Sequence, residues 1–135
     1  MLTRMAVVAA ALAFALLPAS ASAQTGEIRI QQAEMLSASG FFDQFNITGS
    51  GQCASAGQVF VQAEARDLDT RATTFFPQVE VSQCLAPGEH INWMVTESGF
   101  SFAQFRAGDR LLVTAEAIGA ITDLDAREVI LKRYR

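Results

Sequence analysis

The sequence predicts an all-β protein, an antiparallel β-sandwich of about seven strands held by one disulfide. Three observations support this prediction. Apolar and polar residues alternate with a period of two through most of the chain beyond residue 24, turn-forming residues separate the alternating runs, and the chain has two cysteines. Strict alternation is the pattern of a half-buried strand, and short strands divided by turns are typical of sandwiches and small barrels.

Alternation is clearest in a set of runs along the chain. Their apolar positions are Ile28 and Ile30; Val59, Val61, Ala63 and Ala65; Val79 and Val81; Ile91, Trp93 and Val95; Leu111, Val113, Ala115 and Ala117; and Val129 and Leu131. Because successive strand residues point to opposite faces, each run has one face for the core and one for water. The segment from Gln31 to Ser37 also fits a helical turn and is the one rival to a strand.

Turn-forming residues fall between these runs. They are Ser39-Gly40, Gly49-Ser50-Gly51, Asp67 to Asp69, Pro87-Gly88, Ser98-Gly99, Gly108-Asp109 and Asp123 to Asp125. Glycine, proline, serine and aspartate favour chain reversals because of their backbone freedom or their short polar side chains. These positions therefore predict where one strand ends and the next begins.

Two pentapeptides of the chain are similar to each other. Val-Gln-Ala-Glu-Ala at 61–65 precedes Asp-Leu-Asp at 67–69, and Val-Thr-Ala-Glu-Ala at 113–117 precedes Asp-Leu-Asp at 123–125. A duplication would leave more matches than these. We interpret the two segments as edge-of-sheet strands that end in similar turns.

The first 23 residues have the three parts of a signal peptide. Arg4 gives a positive start, residues 5–17 are an apolar stretch too short to span a bilayer, and Ala-Ser-Ala at 21–23 fits the small-x-small cleavage rule. We therefore predict residues 1–23 to be a signal peptide and residues 24–135 to be a single domain, periplasmic or secreted, without a stable membrane anchor after cleavage. An uncleaved membrane anchor is the alternative, which the short apolar run disfavours.

The charge of the processed chain argues against nucleic acid as a partner. All 14 acidic residues follow residue 23, whereas one of the 10 basic residues, Arg4, precedes it, so cleavage leaves a net charge of −5. A modestly acidic domain has no general attraction for nucleic acid or anionic lipid.

Cys53 and Cys84 are the two cysteines of the chain. In an oxidising compartment an even number of cysteines usually pairs, so we predict a disulfide between them. A redox or metal site is the alternative. Such a site needs a Cys-x-x-Cys motif or more imidazole, whereas this chain has one histidine and no such motif.

Catalytic and cofactor motifs are absent from the sequence. His90 is the single histidine, so a Ser-His-Asp or Cys-His site would have to use it, and there is no Gly-x-Ser-x-Gly elbow. We therefore expect a protein that is not an enzyme and needs no cofactor. As an alternative, Asp67, Asp69, Asp123 and Asp125 could give oxygen ligands to Ca²⁺ if their two turns meet at one end of the sandwich.

Five phenylalanines form the candidate partner-binding set: Phe41, Phe42, Phe60, Phe75 and Phe76. Adjacent strand residues face opposite sides, so we expect one member of each Phe-Phe pair to point outward, and Phe60 falls on the polar face of its run. Exposed aromatic patches mark surfaces that bind partners. The alternative is that loops fold back and bury these rings.

Two turn sequences in the later half of the chain suggest a family. Cys-Leu-Ala-Pro-Gly-Glu at 84–89, then a strand, then Phe-Arg-Ala-Gly-Asp-Arg-Leu-Leu-Val at 105–113 resemble the later strands of bacterial immunoglobulin-like modules. The resemblance implies an immunoglobulin-like β-sandwich. The length, the leader and the strand pattern are also similar to the small periplasmic immunoglobulin-like proteins that restrain curli-subunit aggregation. One branch of that family carries a Cys-x-Cys motif, which is absent here.

These patterns together predict a non-enzymatic periplasmic or secreted protein that binds a protein or peptide partner or modulates its assembly. The resemblance implies that the assembly concerned is the aggregation of curli-like subunits. The expected mechanism is recognition by an aromatic sheet face or by an open sheet edge. A small periplasmic inhibitor of a hydrolase and a Ca²⁺-stabilised structural module are the alternatives.

Overall fold

The computed structural model describes residues 25–37, 43–98 and 105–134. The predicted signal peptide (residues 1–23) and two candidate binding residues, Phe41 and Phe42, lie outside the described residues. Within these ranges the chain forms seven β-strands: β1 (Glu27–Ser37), β2 (Asp43–Gln52), β3 (Gly57–Asp67), β4 (Thr73–Cys84), β5 (His90–Ser98), β6 (Arg110–Gly119) and β7 (Asp123–Tyr134).

The seven strands form one mixed sheet in the order β4-β3-β6-β7-β1-β2-β5. The prediction of an all-β fold with about seven strands and a disulfide is thereby confirmed. The prediction that all pairings are antiparallel is wrong, because Ala33–Leu36 of β1 pair in parallel with Leu131–Tyr134 of β7. Alternation of apolar residues tells which face a side chain occupies, but it carries no information about the direction of the neighbouring strand.

The sheet curls until its two edge strands, β4 and β5, approach each other, so its shape is nearly that of a barrel. At one end, the disulfide between Cys53 and Cys84 joins the end of β2 to the end of β4. The backbone of Cys53 also bonds to the loop before β5, donating to the Glu89 oxygen at 2.8 Å and accepting from the Gly88 N–H at 2.8 Å. At the other end, the Thr74 hydroxyl donates to the Glu97 carboxylate.

Side chains that point into the curled sheet form a single core. The bulkiest part is aromatic: the ring of Phe45 meets Phe76 edge-on at 5.4 Å and Phe105 at 5.3 Å between centroids. Edge-to-face contacts of this kind add to the stability that burial of the rings provides. Valine and alanine fill the thinner part, where β3 supplies Val61 and Ala63 and β6 supplies Val113 and Ala115.

The alternative of a helical turn between Gln31 and Ser37 is wrong, because this segment continues β1. Ile30 pairs with Gly49 and Gln32 pairs with Thr48, so Gln31 is an extra residue at a β-bulge. A bulge shifts the phase of alternation by one residue. Ile30 and Ala33 are consequently both buried although they are three residues apart, a spacing that resembles a helix in the sequence.

The expected turn at Gly49-Ser50-Gly51 is also wrong, since these residues lie inside β2. A Cβ added at Gly49 would overlap the backbone oxygen of Arg29 and the indole ring of Trp93. The buried indole donates its N–H to the Ser50 carbonyl oxygen at 2.8 Å. Gly49 is therefore a packing requirement of Trp93 and not a turn residue.

The two turns that carry the family resemblance are similar to each other in the structure. The Glu89 N–H donates to the Ala86 oxygen at 3.3 Å, and the Asp109 N–H donates to the Arg106 oxygen at 3.0 Å. In each turn the third residue is a glycine with positive φ, 84° at Gly88 and 97° at Gly108. Glycine at this position is what a type II turn requires.

Substitution of Gly49 by alanine tests the packing of β2 against Trp93. We expect Gly49→Ala to lower the free energy of unfolding by about 1–3 kcal/mol, because the new methyl group must displace the indole or the β1 backbone. Urea denaturation followed by Trp93 fluorescence measures the loss. Ser50→Ala, one residue along the same strand, is the control, for which we expect a change within about 0.5 kcal/mol; equal stability of the two variants would contradict this packing.

Candidate functional site: an exposed sheet face

The pairing of β3 with β6 organises the candidate site. The two similar pentapeptides pair with each other in antiparallel register, Val61 opposite Ala117 and Ala65 opposite Val113, with Ala63 opposite Ala115 at the centre. The interpretation of these segments as edge strands is therefore wrong, because they are neighbours in the middle of one half of the sheet. Their pairing gives the sheet a local pseudo-twofold axis.

We call the solvent side of β4, β3, β6 and β7 the outer face. Register places these side chains on it: Thr73, Phe75 and Glu80 of β4; Phe60, Gln62, Glu64 and Arg66 of β3; Arg110, Leu112, Thr114, Glu116 and Ile118 of β6; and Leu124, Ala126, Glu128 and Ile130 of β7. In β3 and β6 they alternate with the buried valines and alanines of the same strands, as the period of two requires.

The outer face exposes more apolar surface than a water-facing sheet needs. Five of its large apolar side chains are substantially exposed: Phe75, Leu112, Ile118, Leu124 and Ile130. The solvent side of the other half of the sheet, β1, β2 and β5, is by contrast lined by polar residues, and Met94 is its one exposed large apolar side chain among the described residues. An apolar patch on only one side of a small domain marks an interaction surface.

A groove of about 240 Å³ lies across the outer face, and we call it the acidic groove. It is lined by Gln62, Ala63, Glu64, Phe75, Thr114, Glu116 and Leu124. Phe75 is 51% exposed and stands beside Glu64, whereas Leu124 is 60% exposed and stands beside Glu116. The groove thus runs diagonally from an aromatic wall over two carboxylates to an aliphatic wall.

Both carboxylates of the acidic groove retain bonding capacity. The Gln62 amide donates to Oε1 of Glu116 at 2.9 Å. Nη2 of Arg66 lies 3.7 Å from Oε1 of Glu64, and both of these side chains are about half exposed, so the ion pair contributes little. Each of these contacts uses Oε1 of its glutamate.

The three candidate phenylalanines within the described residues, Phe60, Phe75 and Phe76, lie in different environments. Phe75 and Phe60 both belong to the outer face, where Phe75 is exposed and Phe60 is half-buried. Phe76 is completely buried in the core against Phe45. Phe76 is therefore a core residue and cannot contact a partner at the surface. Leu124 is not in the candidate set, because it lies between two aspartates that were interpreted as a turn.

The carboxylates of the two Asp-Leu-Asp sequences make different bonds at opposite ends of β6. Oδ2 of Asp123 accepts the N–H of Ile28 at 2.9 Å, and Oδ2 of Asp125 accepts the N–H of Ile30 at 2.8 Å. Asp67 instead pairs in register with the start of β6, about 20 Å from the end at which Asp123 lies. The condition for a shared Ca²⁺ site is not met, and no three acidic, histidine or cysteine side chains within the described ranges are grouped to hold a metal.

Asp67 is fully buried at the end of β3. Its Oδ1 accepts the N–H groups of Asp69 at 2.9 Å and Thr70 at 3.0 Å, which closes the turn to β4. Its Oδ2 is buried and accepts no hydrogen bond from the described residues. The neighbouring carboxyl group of Asp109 is the main cause that lowers the pKa of Asp67. Oδ2 of Asp109 in turn accepts the N–H of Arg106 at 2.9 Å.

The carboxyl groups of Asp67 and Asp109 shift each other's pKa in opposite directions, which predicts that they share one proton. The hydrogen bond that this proton makes between them is the main cause that lowers the pKa of Asp67 and the main cause that raises the pKa of Asp109. Burial and the negative charge of Asp69 raise the pKa of Asp109 further. In the predicted arrangement Asp109 holds the proton and donates it to ionised Asp67. Arg110 pairs with Asp69 at 3.3 Å beside them.

Other candidate chemistry does not assemble in the described ranges. His90 is exposed at the start of β5, and both cysteines are consumed by the disulfide. A helix with the length and apolar character needed to cross a membrane is not found among residues 25–37, 43–98 and 105–134.

Comparison with protein-family models and with curated protein sequences gives no match. Among solved structures, the chain is similar to the alkylpurine DNA glycosylase AlkC of Pseudomonas fluorescens bound to DNA with an abasic site analogue, at 13% identity and a TM-score of 0.39 over 78% of this chain. It is also similar to β-glucosidase of Listeria innocua with isofagomine, at 15% identity and a TM-score of 0.40 over 81% of this chain. It spans 30% and 16% of those proteins, and likenesses of this size carry no conclusion about fold or function.

The shared proton makes stability depend on pH in two directions. The raised pKa of Asp109 contributes stability that is complete below its unfolded-state pKa and is lost as pH rises through the folded value. The lowered pKa of Asp67 contributes stability that is present above its unfolded-state pKa and is lost as pH falls through the folded value.

Asp109→Asn tests this pair. The asparagine amide can donate to Asp67 without a second negative charge, so we expect the variant to gain stability over the wild type as pH rises from about 4 to about 8. Chemical denaturation at several pH values measures the difference. Asp69→Asn is the comparison: it removes a neighbouring charge that contributes a smaller part of the rise in the Asp109 pKa but leaves both carboxyl groups of the pair in place, so its effect should vary less with pH. A gain at Asp109 that does not vary with pH, or equals that of Asp69→Asn throughout, would rule out the shared proton.

Proposed function

We propose that the chain is a non-enzymatic, exported binding protein that recognises a protein or peptide partner through its outer face. The observation that carries the proposal is the exposure of Phe75 and Leu124 on the two sides of one groove. Complete burial of one large apolar side chain stabilises by about 1.5–3 kcal/mol, so covering these two half-exposed side chains is worth roughly that amount. Binding would therefore remove the unfavourable hydration of these two side chains in the free protein.

Export has separate support. Residues 1–23 have the pattern of a signal peptide, which directs export. The disulfide between Cys53 and Cys84 is typical of an oxidising compartment. The disulfide by itself is also compatible with other oxidising environments, so the proposal covers the periplasm and the cell exterior.

The proposal includes an immunoglobulin-like sandwich as the finer description of the fold. The neighbours β1-β2-β5 and β3-β6-β7 correspond to the strand groups A-B-E and C-F-G of that fold. Between β1 and β7, backbone pairing is limited to four residue pairs, and the carboxylates of Asp123 and Asp125 span the rest. Because β1 and β7 pair over so few residues, β1-β2-β5 and β3-β6-β7 can form the two layers of a sandwich, joined only where β1 meets β7.

A second candidate function is restraint of the aggregation of curli-like subunits, which the family resemblance implies. The observation that favours it is the open edge of β4, where Val79 is 45% exposed and no strand pairs on its outer side within the described residues. An unpaired edge can accept an extended segment of another chain. Thioflavin fluorescence during fibril growth of a curli subunit tests this: substoichiometric protein should lengthen the lag, and an unaltered lag would exclude the role.

Substitutions on the solvent sides of the two halves of the sheet test the proposed binding surface. Peptides that bind the disulfide-bonded wild-type protein are first selected from a random displayed library. We expect these peptides to bind the Phe75→Ser and Leu124→Ser variants at least about tenfold more weakly, because either change removes a wall of the groove. Fluorescence anisotropy with the selected synthetic peptides measures the affinity.

Met94→Ser is the matched control, since it removes a comparably exposed apolar side chain from the solvent side of the other half of the sheet. Circular dichroism verifies that all three variants remain folded. Equal affinity of the peptides for wild type, Phe75→Ser and Leu124→Ser, or greater sensitivity to Met94→Ser, would refute the proposal.

A further inference from the structure

We infer that the partner segment which docks in the acidic groove presents a basic side chain, arginine in preference to lysine, with its cation between Glu64 and Glu116. The inference rests on the proposed function and adds the chemical class of the partner. It is carried by the arrangement of charges and apolar walls within the groove.

The two glutamates are diagonal neighbours across the β3–β6 ladder. Glu64 stands opposite Thr114 and Glu116 stands opposite Gln62, so each glutamate faces a neutral polar residue and not the other charge. Diagonal neighbours on such a ladder are about 7–8 Å apart, and their Cβ atoms are somewhat closer than that. A planar guanidinium with its fork of five donors can contact two carboxylates at this spacing, whereas a lysine ammonium acts as a single point.

The groove contains negative charge without a matching cation of its own. None of its lining residues is basic. Arg66, the nearest cation paired to it, reaches Glu64 from beyond the groove at 3.7 Å, and Glu116 is bonded only to the neutral amide of Gln62 among the described residues. The net charge of the whole chain is also negative, −4. Charge complementarity therefore favours a cationic occupant and opposes an acidic one.

The walls of the groove suit the same occupant. The ring of Phe75 is 51% exposed and provides an aromatic face to a cation beside Glu64. Leu124, 60% exposed beside Glu116, offers an aliphatic surface to the methylene stem of a long basic side chain. An apolar side chain would cover the walls but would leave two carboxylates desolvated, which disfavours it.

A double-mutant cycle tests the inference. Peptides selected on the wild-type protein should contain arginine, and replacement of that arginine by neutral citrulline should weaken binding by about fivefold. On Glu64→Gln/Glu116→Gln protein, the same replacement should have a much smaller effect, because the carboxylates are gone and only the Phe75 ring still distinguishes the two side chains. Glu128→Gln, which removes a charge from the same face outside the groove, is the control and should preserve the full citrulline effect.

The outcomes separate the inference from the proposed function. Peptides that require Phe75 but show equal citrulline effects on the wild-type and Glu64→Gln/Glu116→Gln proteins would overturn the basic side chain and leave the binding face intact. Peptides that require Phe75 but contain no basic residue would do the same. Failure to select any peptide that depends on Phe75 would overturn the binding face and the inference with it.

Discussion

The register of β3 against β6 is the constraint on which the core and the candidate site both depend. With Ala63 opposite Ala115, the valines and alanines of both strands point inward, and Glu64 and Glu116 point to solvent on a diagonal. A slip of one residue would turn every side chain of one strand to the wrong face. The small inward residues allow the sheet to curl closely, while the outward residues form the floor of the groove between Phe75 and Leu124.

Much of the fold was predictable, because one face of most strands is buried and alternation follows directly from burial. The disulfide also followed from the presence of two cysteines in a chain that the sequence predicts to be exported. The predictions that were wrong each have a physical cause. The bulge at Gln31 shifts the phase of β1, and Gly49 makes room for Trp93 within β2, where glycines resemble a turn. The parallel pairing of β1 with β7 depends on contacts between the two ends of the chain, which no local pattern records.

The candidate site was predictable only in part. Alternation places Phe60 on the polar face of its run, but it does not tell which of Phe75 and Phe76 points outward; the pairing does, because Phe75 stands opposite Glu64. Leu124 was overlooked because Asp123 and Asp125 resemble turn residues, whereas their carboxylates replace backbone acceptors for β1 and the chain between them stays extended. The groove itself combines four strands, so a single segment of sequence does not contain it.

The most direct test of this account is a nuclear Overhauser spectrum of the isotope-labelled, disulfide-bonded protein, because it reads the register and the faces together. The account predicts cross-strand contacts between Ala63 and Ala115, between the side chains of Gln62 and Glu116, and between the Phe76 and Phe45 rings, with none from Phe75 to Phe45. Contacts of Phe75 with the Phe45 ring, or of Ala63 with Thr114 or Glu116 as its directly paired residue, would contradict the register and with it the groove.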